Sequence, residues 1–255
     1  MTVTDTHTHL YSSAFDEDRK AMVDRAIKAN VTRFFIPAID STYTKAMLQL
    51  EADFPDYVHL MTGLHPTSVK ENYKAELSHV EKQLSQRKFI AIGEIGIDLY
   101  WDKSTLKIQQ EAFKHQIHLA KQYQLPIVIH CRDAFDEIFE ILEVEKSEDL
   151  FGIFHCFTGD LDQAKRAISF NMKLGIGGVV TFKNGGVDKF LNQIDLEHIV
   201  LETDSPYLAP TPFRGKRNES AYIIKVLEKL SELYGLSQEK IAEITTENSK
   251  AIFKV

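Results

Sequence analysis

Histidine is unevenly placed along this chain of 255 residues. His7 and His9 lie two apart in VTDTHTHL, His65 sits in GLHP, His130 closes PIVIH and His155 closes GIFH. Glu94 ends the run IAIGE, and Asp204 follows the run IVLET. Imidazole and carboxylate are ligands of divalent cations, and either one closing an apolar run is costly to bury without a partner. Several of them converging call for something positively charged between them, and a metal supplies it. Residues two apart on an extended segment share a face, so His7 and His9 can grip one cation together. We expect two divalent cations, one on His7, His9 and Asp204, the other on His130 and His155, with Glu94 bridging them and open positions left for water and substrate. The plain alternative is a set of hydrogen-bonded core polar groups, or, for the His-x-His pair alone, two surface imidazoles. An imidazole-rich set favours Zn, Mn, Co or Fe.

Such a site is built for hydrolysis. Asp204, placed where an attacking water would lie, is the candidate proton acceptor, and Glu94 is its catalytic companion. Glu202, two before Asp204, is a candidate partner for a ligand histidine. For substrate binding, His65 reads as a donor to an anionic oxygen, set too far along the rim to reach either ion; its alternative is a loop contact. Arg132 shares a face with His130 and suits a phosphate or carboxylate, the alternative being an ion pair with Asp133 or Glu94. Tyr100, Trp101 and Tyr207 can stack on unpaired bases or serve as lid packing. Arg217, with Lys183, Arg214 and Lys216, can guide a nucleic-acid backbone or form a solvated basic loop. The other five histidines, His59, His79, His115, His118 and His198, fall at strand starts or on helices and suit ordinary surface or packing roles.

The elements that must position these residues are legible as eight short apolar runs, near 3 to 6, 32 to 37, 58 to 63, 89 to 94, 126 to 130, 152 to 155, 172 to 176 and 198 to 203. Each is followed by enough chain for a helical crossover, the alternation of an α/β fold with a parallel sheet. Helical spacing appears between them, as in Phe135, Ile138, Phe139 and Leu142, in Phe113, Ile117 and Ala120, and in Ile223, Leu227, Leu230 and Tyr234. Gly235 reads as a helix stop and Ser237 as the N-cap of a last helix. The Pro-rich, basic stretch 209 to 220 reads as a loop after the eighth strand. Eight such units close into a single (β/α)₈ TIM barrel spanning residues 1 to 255 as one domain, and barrel enzymes carry their chemistry at the C-terminal ends of the strands, where His7, His9, His65, His130 and His155 fall.

Composition narrows the class. The chain is 44% hydrophobic and 26% charged, ordinary for a globular protein, and no run of eighteen apolar residues marks a membrane span. The polar N-terminus leaves no room for a signal peptide, so we expect a cytoplasmic protein with no membrane association and no obligate protein partner. Cys131 and Cys156 each follow a histidine in an apolar segment and read as reduced, packed thiols. A net charge of −7 argues against tight non-specific nucleic-acid binding, so an anionic substrate needs local positive charge from metal or a basic patch.

In order and spacing, DTHTHL at 5 to 10, GLHP at 63 to 66, GEIGIDLYW at 93 to 101, LPIVIHCRDA at 125 to 134, FHCFTG at 154 to 159, GIGGVVTFKN at 175 to 184, LETDSPYLAP at 201 to 210 and RGKRNES at 214 to 220 make a specific set. The chain resembles the TatD-type metal-dependent deoxyribonucleases, within the amidohydrolase-like TIM barrels, from its first strand to its last helix. The resemblance implies that His7, His9, Glu94, His130, His155 and Asp204 are metal ligands. It also implies exonuclease-like phosphodiester hydrolysis of DNA, single-stranded or at strand ends, with Mg the ion usually associated with turnover; we therefore expect Mg, Mn or Zn. Tyr11 stands where the family often has Asp, and Ser220 where it has Pro; neither is a ligand position. Hydrolysis of an amide, lactone or ester, including removal of an amino acid from tRNA, is an alternative on the same site, and a scaffold with structural metals is another.

Overall fold

The computed structural model describes residues 2 to 255. Eight parallel strands alternate with helices: β1 (Val3–Asp5), β2 (Val31–Ile36), β3 (Val58–Leu60), β4 (Ile92–Asp98), β5 (Ile127–Arg132), β6 (Gly152–Phe154), β7 (Met172–Ile176) and β8 (Ile199–Leu201). They pair in chain order as a three-stranded and a five-stranded group. Both seams between the groups are stitched. Thr62 bridges to Ile92, and the Gly93 amide donates to the Thr62 carbonyl at 2.9 Å. On the other side, the Thr6 amide donates to the Leu201 carbonyl at 3.0 Å. The sheet is therefore a closed barrel, as expected.

The helices are α1 (Arg19–Lys28), α2 (Thr44–Asp53), α3 (Tyr73–Gln86), α4 (Leu106–Tyr123), α5 (Phe135–Glu145), α6 (Leu161–Ser169), α7 (Ile223–Tyr234) and α8 (Gln238–Phe253). Their apolar stripes bury as the spacing predicts: Phe113, Ile117 and Ala120 on α4, Ile138, Phe139 and Leu142 on α5, and Ile223, Leu227 and Leu230 on α7. Gly235 ends α7 in the left-handed region at φ +64°, where a Cβ would be strained, and the Ser237 side chain caps α8 by accepting from the Lys240 amide.

Side chains two apart on a strand share a side, and this organises the barrel interior in layers. Phe35, Met61, Ala91, Val128, Ile153 and Val200 form a packed inner layer closed from below by Ile252 and Phe253 of α8. Two residues further along their strands, Val128, Ile153 and Val200 are followed by His130, His155 and Glu202. The polar cluster therefore rests on an apolar floor that excludes water from beneath. No helix among the described residues is long and apolar enough to cross a membrane.

One strand departs from expectation. The run 89 to 94 was expected to end at Glu94, but β4 begins at Ile92 and continues to Asp98, so Glu94 lies inside it. The β4–β5 register slips between Gly93 and Ile95, leaving Glu94 as a bulged residue. A bulge re-aims one side chain out of the pleat, and here it turns the Glu94 carboxylate to the middle of the barrel mouth.

Candidate metal centre

Glu94 is the hub. Its side chain is almost wholly buried, and its Oε1 lies 2.7 Å from His130 Nδ1, 2.8 Å from His155 Nε2 and 3.1 Å from His65 Nε2, while Oε2 lies 3.1 Å from His7 Nε2 and 3.8 Å from His9 Nε2. Asp204 approaches from the β8 side, its Oδ1 3.4 Å from His9 Nε2 and 3.8 Å from His7 Nε2. Backbone contacts hold the two segments beyond β1 and β8 together: the Asp204 amide donates to the His7 carbonyl at 2.9 Å, and the His9 amide to the Ser205 carbonyl at 2.8 Å. The six expected ligands thus meet at one mouth.

The partition among them differs from the sequence reading. Potential ligand atoms cluster as His7 with His9 and Glu94, as His7 with His155 and Asp204, and as His65 with Glu94 and His130. His7 and His155 share one group, their rings stacked 3.8 Å apart at 14°. His65 also lies nearer than expected, within hydrogen-bonding reach of Glu94 rather than out along the rim. Its tautomer argues against ligation. Nδ1 accepts from the Thr67 amide at 3.1 Å, so in the neutral ring Nε2 carries the proton and points it into the cluster. His65 is a donor facing the Glu94 carboxylate, and the remaining six residues are the candidate cation ligands.

The donor set fits metal by its own chemistry. Both ring nitrogens of the buried His7 lack a hydrogen-bond partner among the described residues, as do His155 Nδ1 and Glu202 Oε2. Buried imidazole nitrogens without a partner are rare and destabilising, and a cation at His7 Nε2 would give that atom one.

Electrostatics point the same way. Burial alone would raise the Glu94 carboxyl, but the facing imidazoles of His155, His65 and His7 outweigh it and hold it well below the usual carboxylate range. Burial and then the neighbouring His155 push His7 down, keeping it neutral. Burial works against His155 and His130, yet Glu94 holds the first well above the ordinary imidazole range, and hydrogen bonds donated to Asp98 and Glu94 raise the second. In the metal-free protein Glu94 thus favours protons on these two rings, in the place a cation would take.

Around the ligands stand residues that fix them. His130 Nε2 donates to Asp98 Oδ2 at 2.9 Å, which leaves Nδ1 facing Glu94. Tyr11 reaches His9 Nδ1 at 2.8 Å and orients the ring. The wholly buried Glu202 lies 3.5 Å from His155 Nδ1 and accepts from the Cys156 amide at 2.6 Å. Asp5 accepts from the Thr203 amide and hydroxyl at 3.0 and 2.6 Å, and burial pushes its carboxyl up to about 7. Cys131 and Cys156 are free thiols. Asp98 and Tyr11 went unassigned in the sequence, although Asp98, four positions from Glu94 on one strand, carried a spacing signal that could have marked it.

The cleft above the cluster has a volume of about 470 Å³ and is lined by His65, Trp101, Arg132 and Tyr207 among others. Arg132 pairs with neither Asp133 nor Glu94; its guanidinium lies over the Tyr100 ring at 3.7 Å. Arg217 does not reach the cleft, correcting its expected substrate role: its two terminal nitrogens donate to Asp18 at 2.7 and 2.8 Å, one of them also to the Ala14 carbonyl. Arg214 stacks over Phe182 at 3.6 Å and borders a separate hollow with Lys183.

A family model described as TatD related DNase matches residues 4–254. The uncharacterized metal-dependent hydrolase YabD of Bacillus subtilis (strain 168) is 40% identical over 253 residues, 98% of this chain and 98% of its own. The uncharacterized metal-dependent hydrolase YcfH of Escherichia coli (strain K12) is 31% identical, covering 100% of this chain and 97% of its own. The crystal structure of YjjV, a TatD homologue from Escherichia coli K12, superposes with a TM-score of 0.93 at 29% identity, covering 99% of this chain and 98% of the other.

Proposed function

This chain belongs to the TatD-related DNase family of metal-dependent hydrolases, and on that premise we propose that it is a phosphodiesterase that trims unpaired or terminal DNA in the cytoplasm, using two divalent cations. The observation that supports this reading over other hydrolyses is the pair of donors beside the candidate ligands: the Arg132 guanidinium, which lines the cleft without an ion pair among the described residues, and the His65 Nε2 proton, which faces Glu94 in the metal-free protein. Two donors suit the anionic non-bridging oxygens of a phosphodiester, which an amide or lactone lacks.

His7, His9, His130, His155 and Asp204 would hold the two ions around a shared Glu94. The pair, when bound, supplies Lewis acidity to the phosphoryl oxygens and makes water a nucleophile at neutral pH. Asp204 takes the proton of the attacking water. Its carboxylate is partly exposed at 14%, and although burial would raise it, the hydrogen bond from His9 and the imidazoles around it hold it below the usual carboxylate range. His65 and Arg132 orient the phosphate, and the apolar floor beneath keeps other water away from the reacting atoms.

The experiment is cleavage of a labelled single-stranded oligonucleotide under Mg and then Mn, beside an amide and a lactone panel, with product lengths resolved. A ladder of progressively shortened DNA is expected. Turnover of the amide or lactone alone overturns the reading.

A further inference from the structure

Trp101 is the single tryptophan of the chain, and 69% of its surface is exposed beside a cleft built for catalysis. Tyr100 next to it is 54% exposed. Together they make a contiguous exposed aromatic patch at the edge of that cleft, and such a patch, unlike a single exposed ring, marks a contact surface. The two rings meet edge to face at 4.9 Å, and the Arg132 guanidinium lies 3.7 Å from the Tyr100 centroid and 5.5 Å from that of Trp101. Among the described residues Arg132 makes no ion pair, so its charge is available to a ligand.

The turn that carries these rings is tied to the metal centre by one carboxylate. Asp98 Oδ1 accepts from the Tyr100 amide at 3.0 Å and the Trp101 amide at 3.3 Å, while Oδ2 accepts from His130 Nε2 at 2.9 Å. Gln109 clamps the same residue, accepting from the Asp98 amide at 2.8 Å and donating to its carbonyl at 3.0 Å. The rings are therefore held in register with a ligand imidazole, as lid packing would not require.

We propose that Trp101, Tyr100 and Arg132 form a subsite for one unpaired terminal nucleobase, stacked on the indole with its phosphate directed to Arg132 and the cation ligands. The inference rests on the phosphodiesterase reading and adds to it the position of the base. That the base is terminal follows from what lies beyond. The groove running outward from Arg132 is lined by Asp133, Asp136 and Glu137, which repel a continuing phosphate backbone. Lys183 and Arg214 stand on loops after β7 and β8, across the barrel from β4, and a strand leaving the cleft on that side would meet positive charge. Every base has a π-face, so the subsite binds without sequence preference.

Two measurements test this. In chelator-treated protein, Trp101 emission is followed as thymidine 5′-monophosphate or deoxyribose 5-phosphate is added, each corrected against free tryptophanamide. Quenching by the nucleotide alone is expected; equal quenching by both, or none, overturns the proposal. Separately, oligonucleotides with an abasic residue at either end are compared with intact ones. The wild type is expected to lose about tenfold in kcat/KM when the abasic residue occupies one particular end, Trp101→Ala to lose that discrimination, and Trp101→Phe to keep most of it. Equal cleavage of abasic and intact DNA, or discrimination that survives in Trp101→Ala, overturns it. If the wild type cleaves no DNA, the phosphodiesterase reading fails and the emission measurement decides the base subsite alone.

Discussion

Two clusters of charge in this molecule are built from similar residues and behave oppositely. In one, Arg25, Asp18, Glu219 and Arg217 tie α1 to the loop after β8: Arg25 grips Glu219 at 2.6 to 3.2 Å and Asp18 at 3.0 Å, and Arg217 grips Asp18 with both terminal nitrogens. Two cations face two anions, every charge is matched, and much of the network is open to water. In the other, around Glu94, imidazoles crowd a single buried carboxylate and several buried polar atoms have no partner. The first is complete as protein alone and serves packing. The second leaves buried polar atoms unpartnered as protein alone, and that deficit, more than the residue types, distinguishes a candidate functional site from a structural one.

Substitutions can break the contrast. Glu94→Gln, by removing the central charge, is expected to lower metal-dependent turnover by on the order of a thousandfold or more while the folded circular dichroism spectrum persists; near wild-type turnover would make the two clusters equivalent. Asp98→Asn keeps the shape but weakens the hold on His130, so metal affinity in a competition titration should fall about 10- to 100-fold.

Protons sharpen it further. His130 and His155 hold protons above the ordinary imidazole range in the metal-free protein, so the native state binds more protons than the unfolded chain above about pH 7. Its stability is therefore lost as pH rises through those raised values. His7 and His65, held low by burial, act below that window and in the opposite sense. Melting curves taken from neutral to alkaline pH should fall in chelator and stay flatter with Mn; parallel curves would contradict the account. The smallest effect belongs to the matched network. Arg217→Ala should lower Tm by no more than about 3 °C and leave KM for DNA near wild type, since exposed ion pairs contribute little.

Legibility followed the same division. His130, His155 and Asp204 could be read because each closes or follows an apolar run whose alternation aims it inward. His7 and His9 could be read because a two-residue spacing needs no tertiary information. Glu94 was found but misplaced, since GEIGID is a bulged strand interior that looks, residue by residue, like a strand end and a turn. The proton on His65 was invisible because it is set by the Thr67 backbone. The direction of Arg217 was unreadable because Asp18 lies 199 residues away in sequence. Local periodicity carries the barrel; contacts between distant loops decide which rim residues face the cleft.

The central claim is tested most directly by the metal content of protein equilibrated with Mn or Zn and then desalted, measured by mass spectrometry for wild type and Glu94→Ala. The account predicts close to two equivalents per wild-type chain and less than one in the variant. A wild type that retains no divalent cation, or a Glu94→Ala protein that keeps the full complement, would contradict it.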